Sequence, residues 1–177
     1  DPLIQVNPAQ MSVSADFNRS HLIGGTASKP FGDLTLRSEI GVETKKRLFD
    51  GSRNTVVDTE ELSYVVGLDY SGISDTLVSL QLFQSYLMDS VEDTGRASEQ
   101  ATLLLRSDFL NAALRLEALG IYDNQAEDSV IQLAADYTMT TNVVVRAGAD
   151  LFYGDEAGQF GRFRDESRLG AGVTFSF

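Results

Sequence analysis

The chain has no cysteine, one histidine and three prolines among its 177 residues. Without cysteine there is no disulfide framework, and a lone histidine has no second soft ligand with which to hold a transition metal. No run of about 18 apolar residues occurs, which excludes a membrane-spanning helix. Basic residues are also scarce: 14 Lys and Arg stand against 26 Asp and Glu, for a net charge of -12. Nucleic acid is therefore an unsuitable partner, because neutralising phosphates needs clustered cations and only Lys45-Lys46-Arg47 cluster here. No signal peptide precedes Asp1, so a secreted protein would be represented here by a mature form or a fragment. The length suits one domain.

The end of the chain is its most informative stretch. From Ser167 to Phe177 apolar residues alternate with small or polar ones, and Leu169, Ala171, Val173, Phe175 and Phe177 share one face. This resembles the closing strand of a bacterial outer-membrane β-barrel, whose terminal aromatic is read by the barrel-assembly machinery. The resemblance implies that machinery as a partner. A mean hydropathy of -0.11 does not oppose it, since only alternate residues of a barrel strand face lipid.

The same two-residue period recurs through eight segments: Leu34 to Thr44, Glu61 to Tyr70, Thr76 to Tyr86, Ala101 to Phe109, Ala112 to Tyr122, Ser129 to Tyr137, Val143 to Tyr153 and Leu169 to Phe177. Most have the nine to eleven residues, roughly, that a tilted strand needs to cross a bilayer. One face of each segment is expected to be free of charge, as in Leu62, Tyr64, Val66, Leu68 and Tyr70. The other face carries Arg37, Glu39, Glu43, Glu61, Asp69, Arg106, Asp108, Arg115, Glu117, Asp136, Arg146, Asp150 and Arg168.

A soluble sandwich also sorts residues in this way. The aromatics separate the two folds: Tyr70, Phe109, Tyr137 and Phe177 close one end of the apolar band, and Tyr86, Tyr122 and Tyr153 close the other. Rings at both boundaries are a membrane-interface girdle, which a sandwich core does not need. Short connections at one end and longer ones at the other fit periplasmic turns and external loops. The expected fold is an all-β, antiparallel transmembrane β-barrel with eight clear strands over residues 32–177. Residues 1–31 form an N-terminal arm or an extra strand, the best candidate being Gln10 to Asn18. The expected location is the bacterial outer membrane, with the lipid bilayer as partner.

Tyr64-Val65-Val66-Gly67-Leu68-Asp69-Tyr70, then Asp75-Thr76-Leu77-Val78-Ser79-Leu80-Gln81, together with Leu36-Arg37-Ser38-Glu39, resemble the final strands of a large outer-membrane family of Gram-negative bacteria. That family is described only as a domain of unknown function, so the resemblance transfers no functional residue. Its members are several times longer, so two readings stand: a complete small barrel, or the carboxy-terminal part of a larger one.

Eight carboxylates and five arginines on the polar face would pack as ion pairs inside an eight-stranded barrel, and would line water in a wider one. In the wider case the excess of carboxylates favours cations. Lys45, Lys46 and Arg47, at the outer end of the first regular strand, are candidate contacts for lipopolysaccharide phosphates. His21, beside Ser20 and Asp16, lacks the Gly-x-Ser-x-Gly context of a serine hydrolase and reads as solvated. The acidic loops, including Asp123, Asp128, Asp155 and Glu166, are expected to be solvated as well. No metal and no cofactor is expected, nor any enzymatic activity. The expected function is a pore or transport component for small solutes; the alternative is a structural or surface-interaction barrel with a plugged lumen and functional external loops. The residues do not specify the oligomeric state.

Overall fold

The computed structural model describes residues 3–7, 12–16, 19–50, 55–89 and 97–177. Two short strands, β1 (Leu3–Asn7) and β2 (Ser12–Asp16), pair only with each other. All the others form one antiparallel sheet in chain order: β3 (His21–Phe31), β4 (Leu34–Asp50), β5 (Thr55–Ile73), β6 (Thr76–Leu87), β7 (Ala97–Phe109), β8 (Leu114–Asp123), β9 (Asp128–Thr140), β10 (Val143–Tyr153) and β11 (Arg168–Phe175). A 3-10 turn, Gly161–Glu166, lies between the last two strands.

This sheet is a single layer. Each strand packs on its hydrogen-bonded neighbours, and the 3-10 turn packs on β10. Among the described residues only Leu87 and Val130 are buried apolar side chains, while Ile40, Leu68, Leu82, Leu103, Leu133 and Val173 stand exposed on the apolar face. A sandwich would cover that face with a second sheet. An uncovered apolar band on a hydrogen-bonded antiparallel sheet is what lipid solvates.

The eight expected strands are present, and the extra strand allowed within residues 1–31 forms as well. The ninth strand is β3, which pairs with β4 from His21↔Thr44 to Phe31↔Leu34. It escaped the sequence pattern because Gly24, Gly25 and Pro30 interrupt its apolar residues, and Pro30 is tolerated because β3 is an edge strand. Of Gln10 to Asn18, residues 12–16 belong to β2; the rest lie outside the described residues. Several strands also extend past their expected ends. β4 runs on to Asp50 and β5 starts at Thr55, well beyond a bilayer's thickness, so Lys45, Lys46 and Arg47 lie in a strand and not in a loop. Ala112 falls in the turn before β8 with φ 63, and β11 stops at Phe175.

Direction alternates across the sheet, so β3 and β11, at opposite edges of a nine-stranded order, run parallel to each other. An antiparallel barrel cannot close by joining them. Closure needs an odd number of further strands. The packed interior expected of a closed eight-stranded barrel is accordingly not formed by these strands.

Candidate site: ionic rows and an anchored loop

Register decides which polar-face charges meet. Arg115 lies opposite both Asp108 and Asp136, and Asp136 lies opposite Arg146. The result is a row of alternating sign across β7 to β10, with Arg115 to Asp108 at 2.8 Å and Arg146 to Asp136 at 3.4 Å. A second row joins Gln132, Asp150 and Arg168 at 2.9 and 2.7 Å. Between the rows, Arg106 meets Glu117 at 2.7 Å, and the same level continues as Ala134, Gly148 and Gly170. The bare backbone there leaves a trough of about 340 Å³ flanked by the two rows. At the other side of the sheet Arg37 donates to Asp69 at 2.9 Å and reaches Ser79.

Every one of these ion pairs is lateral, between neighbouring strands along the wall, and Arg37 also reaches across β5 to Ser79 of β6. The arginines stay open, with Arg146 58% and Arg168 73% exposed at the side chain. Open pairs contribute little to stability. Their effect is on the potential at the surface they line.

Glu43 and Glu61 face each other in register, an unfavourable pairing. A β-bulge follows at once: the register shifts between Glu43 and Lys46, Lys45 takes φ 56, and Lys46 swings onto Glu61 as an ion pair. Arg47 is held by Asp58 at 3.3 Å. Two of the three cations expected to meet lipopolysaccharide are thus engaged with carboxylates of the neighbouring strand.

The apolar face is not free of charge. The extended β7 brings Glu99 onto it, in a chain of hydrogen bonds from Tyr64 to Gln84, from Gln84 to Glu99 at 2.6 Å and from Asn124 to Glu99 at 3.0 Å. Lys29 of β3 shares this face, its ammonium over the ring of Phe31 at 5.1 Å. The aromatic residues Tyr70, Tyr86, Phe109, Tyr122, Tyr137 and Tyr153 are all exposed on it, and Phe177 follows the last strand, also exposed.

At the long-loop end, residues 154–167 fold back onto the polar face. Asp128, 1% exposed, accepts hydrogen bonds from the N–H groups of Phe160 and Gly161 at 2.5 and 3.0 Å. Gly154 is required beside it: φ is +119, and a Cβ would collide with Asp128. Gln159 reaches Gln100 of β7, and the rings of Phe163 and Phe152 pack at 5.7 Å. Gln100, Asp128 and Phe152 all belong to the polar face. The loop therefore packs against the polar face at this end of the sheet.

Asp123, just past Tyr122, is built in the same manner. Its carboxylate accepts from the N–H groups of Gln125 and Ala126 at 2.9 and 3.0 Å and from Gln100 at 3.2 Å. Burial pushes this carboxyl up, but the bonds from Ala126, Gln100 and Gln125 outweigh it and hold it below its ordinary value of 3.8. Neither Asp123 nor Asp128 is solvated as the loop composition implied. His21 opens β3 and is exposed, away from any catalytic arrangement among the described residues. Among those residues no three His, Cys, Asp or Glu side chains converge to hold a metal. Sequence reasoning missed the loop anchor; the spacing of Gly154, Gly158 and Gly161 around Phe160 was the available signal.

No protein-family model matches the chain, and no curated protein matches it. Solved structures do. The outer-membrane expressed OmpT of Vibrio cholerae aligns with a TM-score of 0.54 and 17% identity, over 90% of this chain and 57% of that one. The trimer form of OmpT, folded in vitro, gives 0.51 and 16%, over 89% and 56%. This chain thus spans a little over half the length of either. The likeness establishes the fold, an outer-membrane antiparallel β-barrel, and the location read from the sequence agrees with these neighbours. The large family of unknown function is not supported. The expected lack of enzymatic activity does not stand either: what these neighbours share with the chain at 16–17% identity is a fold, and one barrel fold can carry catalytic or passive sites alike.

Proposed function

We propose that the chain forms part of the wall of an outer-membrane passage for small polar solutes, its charged rows facing water. The observation that carries this reading is the lateral pairing of Asp108, Arg115, Asp136 and Arg146 on an uncovered face. In a plugged interior these charges would be buried by an opposite wall, at a cost that only cross-lumen partners offset. Here each finds its partner along the wall and stays exposed. The odd strand count and the greater length of the matched barrels support a wall that other strands complete. Carboxylates outnumber cations on this face, Glu39 and Glu43 lying on β4, so small cations are favoured over anions. The aromatic residues at both ends of the apolar face serve as its interfacial girdle.

Planar-bilayer recordings of the detergent-refolded barrel that this chain completes with its further strands, under a salt gradient, test this. Stable steps with a cation-selective reversal potential are expected. Heat-modifiable, folded protein that inserts without conducting overturns the reading in favour of the plugged barrel, for which the loop anchored on the polar face is the supporting feature.

A further inference from the structure

Between the anchored loop and strands β10 and β11 lies an open pocket of about 350 Å³, lined by Phe152, Gln159, Phe160, Arg162, Phe163, Glu166 and Arg168. Its charges are unequally committed. Arg168 is tied to Asp150 at 2.7 Å. Arg162 rests its guanidinium on the ring of Phe163 at 4.9 Å, and among the described residues neither Arg162 nor Glu166 forms an ion pair. Arg164, on the same turn, is paired with Glu156 and does not line the cavity. One cation and one anion with no ion-pair partner among the described residues therefore share a small pocket walled by phenylalanine rings, on the polar side where a passing solute would meet them.

We propose that this cavity is a binding subsite for a small zwitterion with an aromatic body, of the chemical class of an aromatic α-amino acid. The guanidinium fork of Arg162 takes the carboxylate. Glu166 takes the ammonium group, and the solute's ring packs against Phe152 and Phe160 at the offset or tilted angles such pairs prefer. The volume fits a ligand of about a dozen heavy atoms at the low end of small-molecule sites. The subsite goes beyond the passage reading and does not depend on conduction.

The test uses phenylalanine, phenethylamine and 3-phenylpropionate as probes, with binding to the detergent-refolded protein followed by saturation-transfer NMR and titration. Phenylalanine is expected to bind best, with the loss of either charged group weakening binding about tenfold, the scale of one charge-assisted hydrogen bond. Arg162→Gln should abolish the preference for phenylalanine over phenethylamine and leave its preference over 3-phenylpropionate, and Glu166→Gln should do the converse. Arg164→Gln, the matched control, should change neither. Each variant is first checked for heat-modifiable migration. Equal binding of the three probes, or preferences unchanged by both substitutions in folded protein, overturns the subsite. Either result is independent of whether the protein conducts.

Discussion

Arg115 grips Asp108 with both arms of its guanidinium, Nε donating to Oδ1 at 2.8 Å and Nη2 to Oδ2 at 3.3 Å. The two residues lie directly opposite on β7 and β8, and the next residue along the row is Asp136, so one arginine sits between two carboxylates. That arrangement makes the row sensitive to single charges. Asp108→Asn or Asp136→Asn should shift the reversal potential toward anions, and the double substitution should shift it further. Because the pairs are open to water, the variants should unfold at nearly the wild-type denaturant midpoint. An unchanged reversal potential would show that the row does not line the conducting path.

The two faces should differ in their tolerance of charge. Leu105→Arg and Leu133→Arg place a cation on the apolar face midway between the two aromatic ends, where the cost is about 2 to 4 kcal/mol. Gln132→Arg, on the polar face beside Asp150, should cost less. Denaturant titration in lipid vesicles measures both, and equal costs would mean that the sidedness is reversed.

Asp128 should control the loop. Asp128→Ala leaves the buried N–H groups of Phe160 and Gly161 without their acceptor, at about 1 to 3 kcal/mol each. The barrel ladder is untouched, so the effect should be local: limited trypsin digestion is expected to cut at Arg162 and Arg164 far faster in the variant, with heat-modifiable migration retained. Resistance equal to that of wild type would assign the anchoring to other contacts.

Acid should loosen the turn after β8. The Asp123 carboxyl titrates below 3.8 in the folded protein, so its ionised form favours the fold. Its contribution is complete above the unfolded value and is lost as pH falls through the depressed native value. Amide exchange at Gln125 and Ala126, corrected for intrinsic rates, should show steady protection down to about pH 4 and loss below it. Asp123→Asn should flatten that dependence.

Much of the fold was legible because strand parity is local. Side chains alternate by the geometry of the extended backbone, so Leu62 to Tyr70 or Leu169 to Phe175 declare their two faces without any knowledge of neighbours. The same holds for the aromatic ends of the apolar face. Which charges meet was not legible, because pairing depends on register: that Arg115 faces Asp136 follows from the offset of β8 against β9. The bulge that turns Lys46 onto Glu61 shifts parity within a strand, and a two-residue period cannot register it. β3 was hidden for another reason: Gly24, Gly25 and Pro30 break its apolar alternation, and the proline is tolerated at a sheet edge. The anchored loop required tertiary structure outright. Asp128 and Gly161 are 33 residues apart in sequence, and only the adjacency of β9 and β10 brings the carboxylate under the backbone it holds.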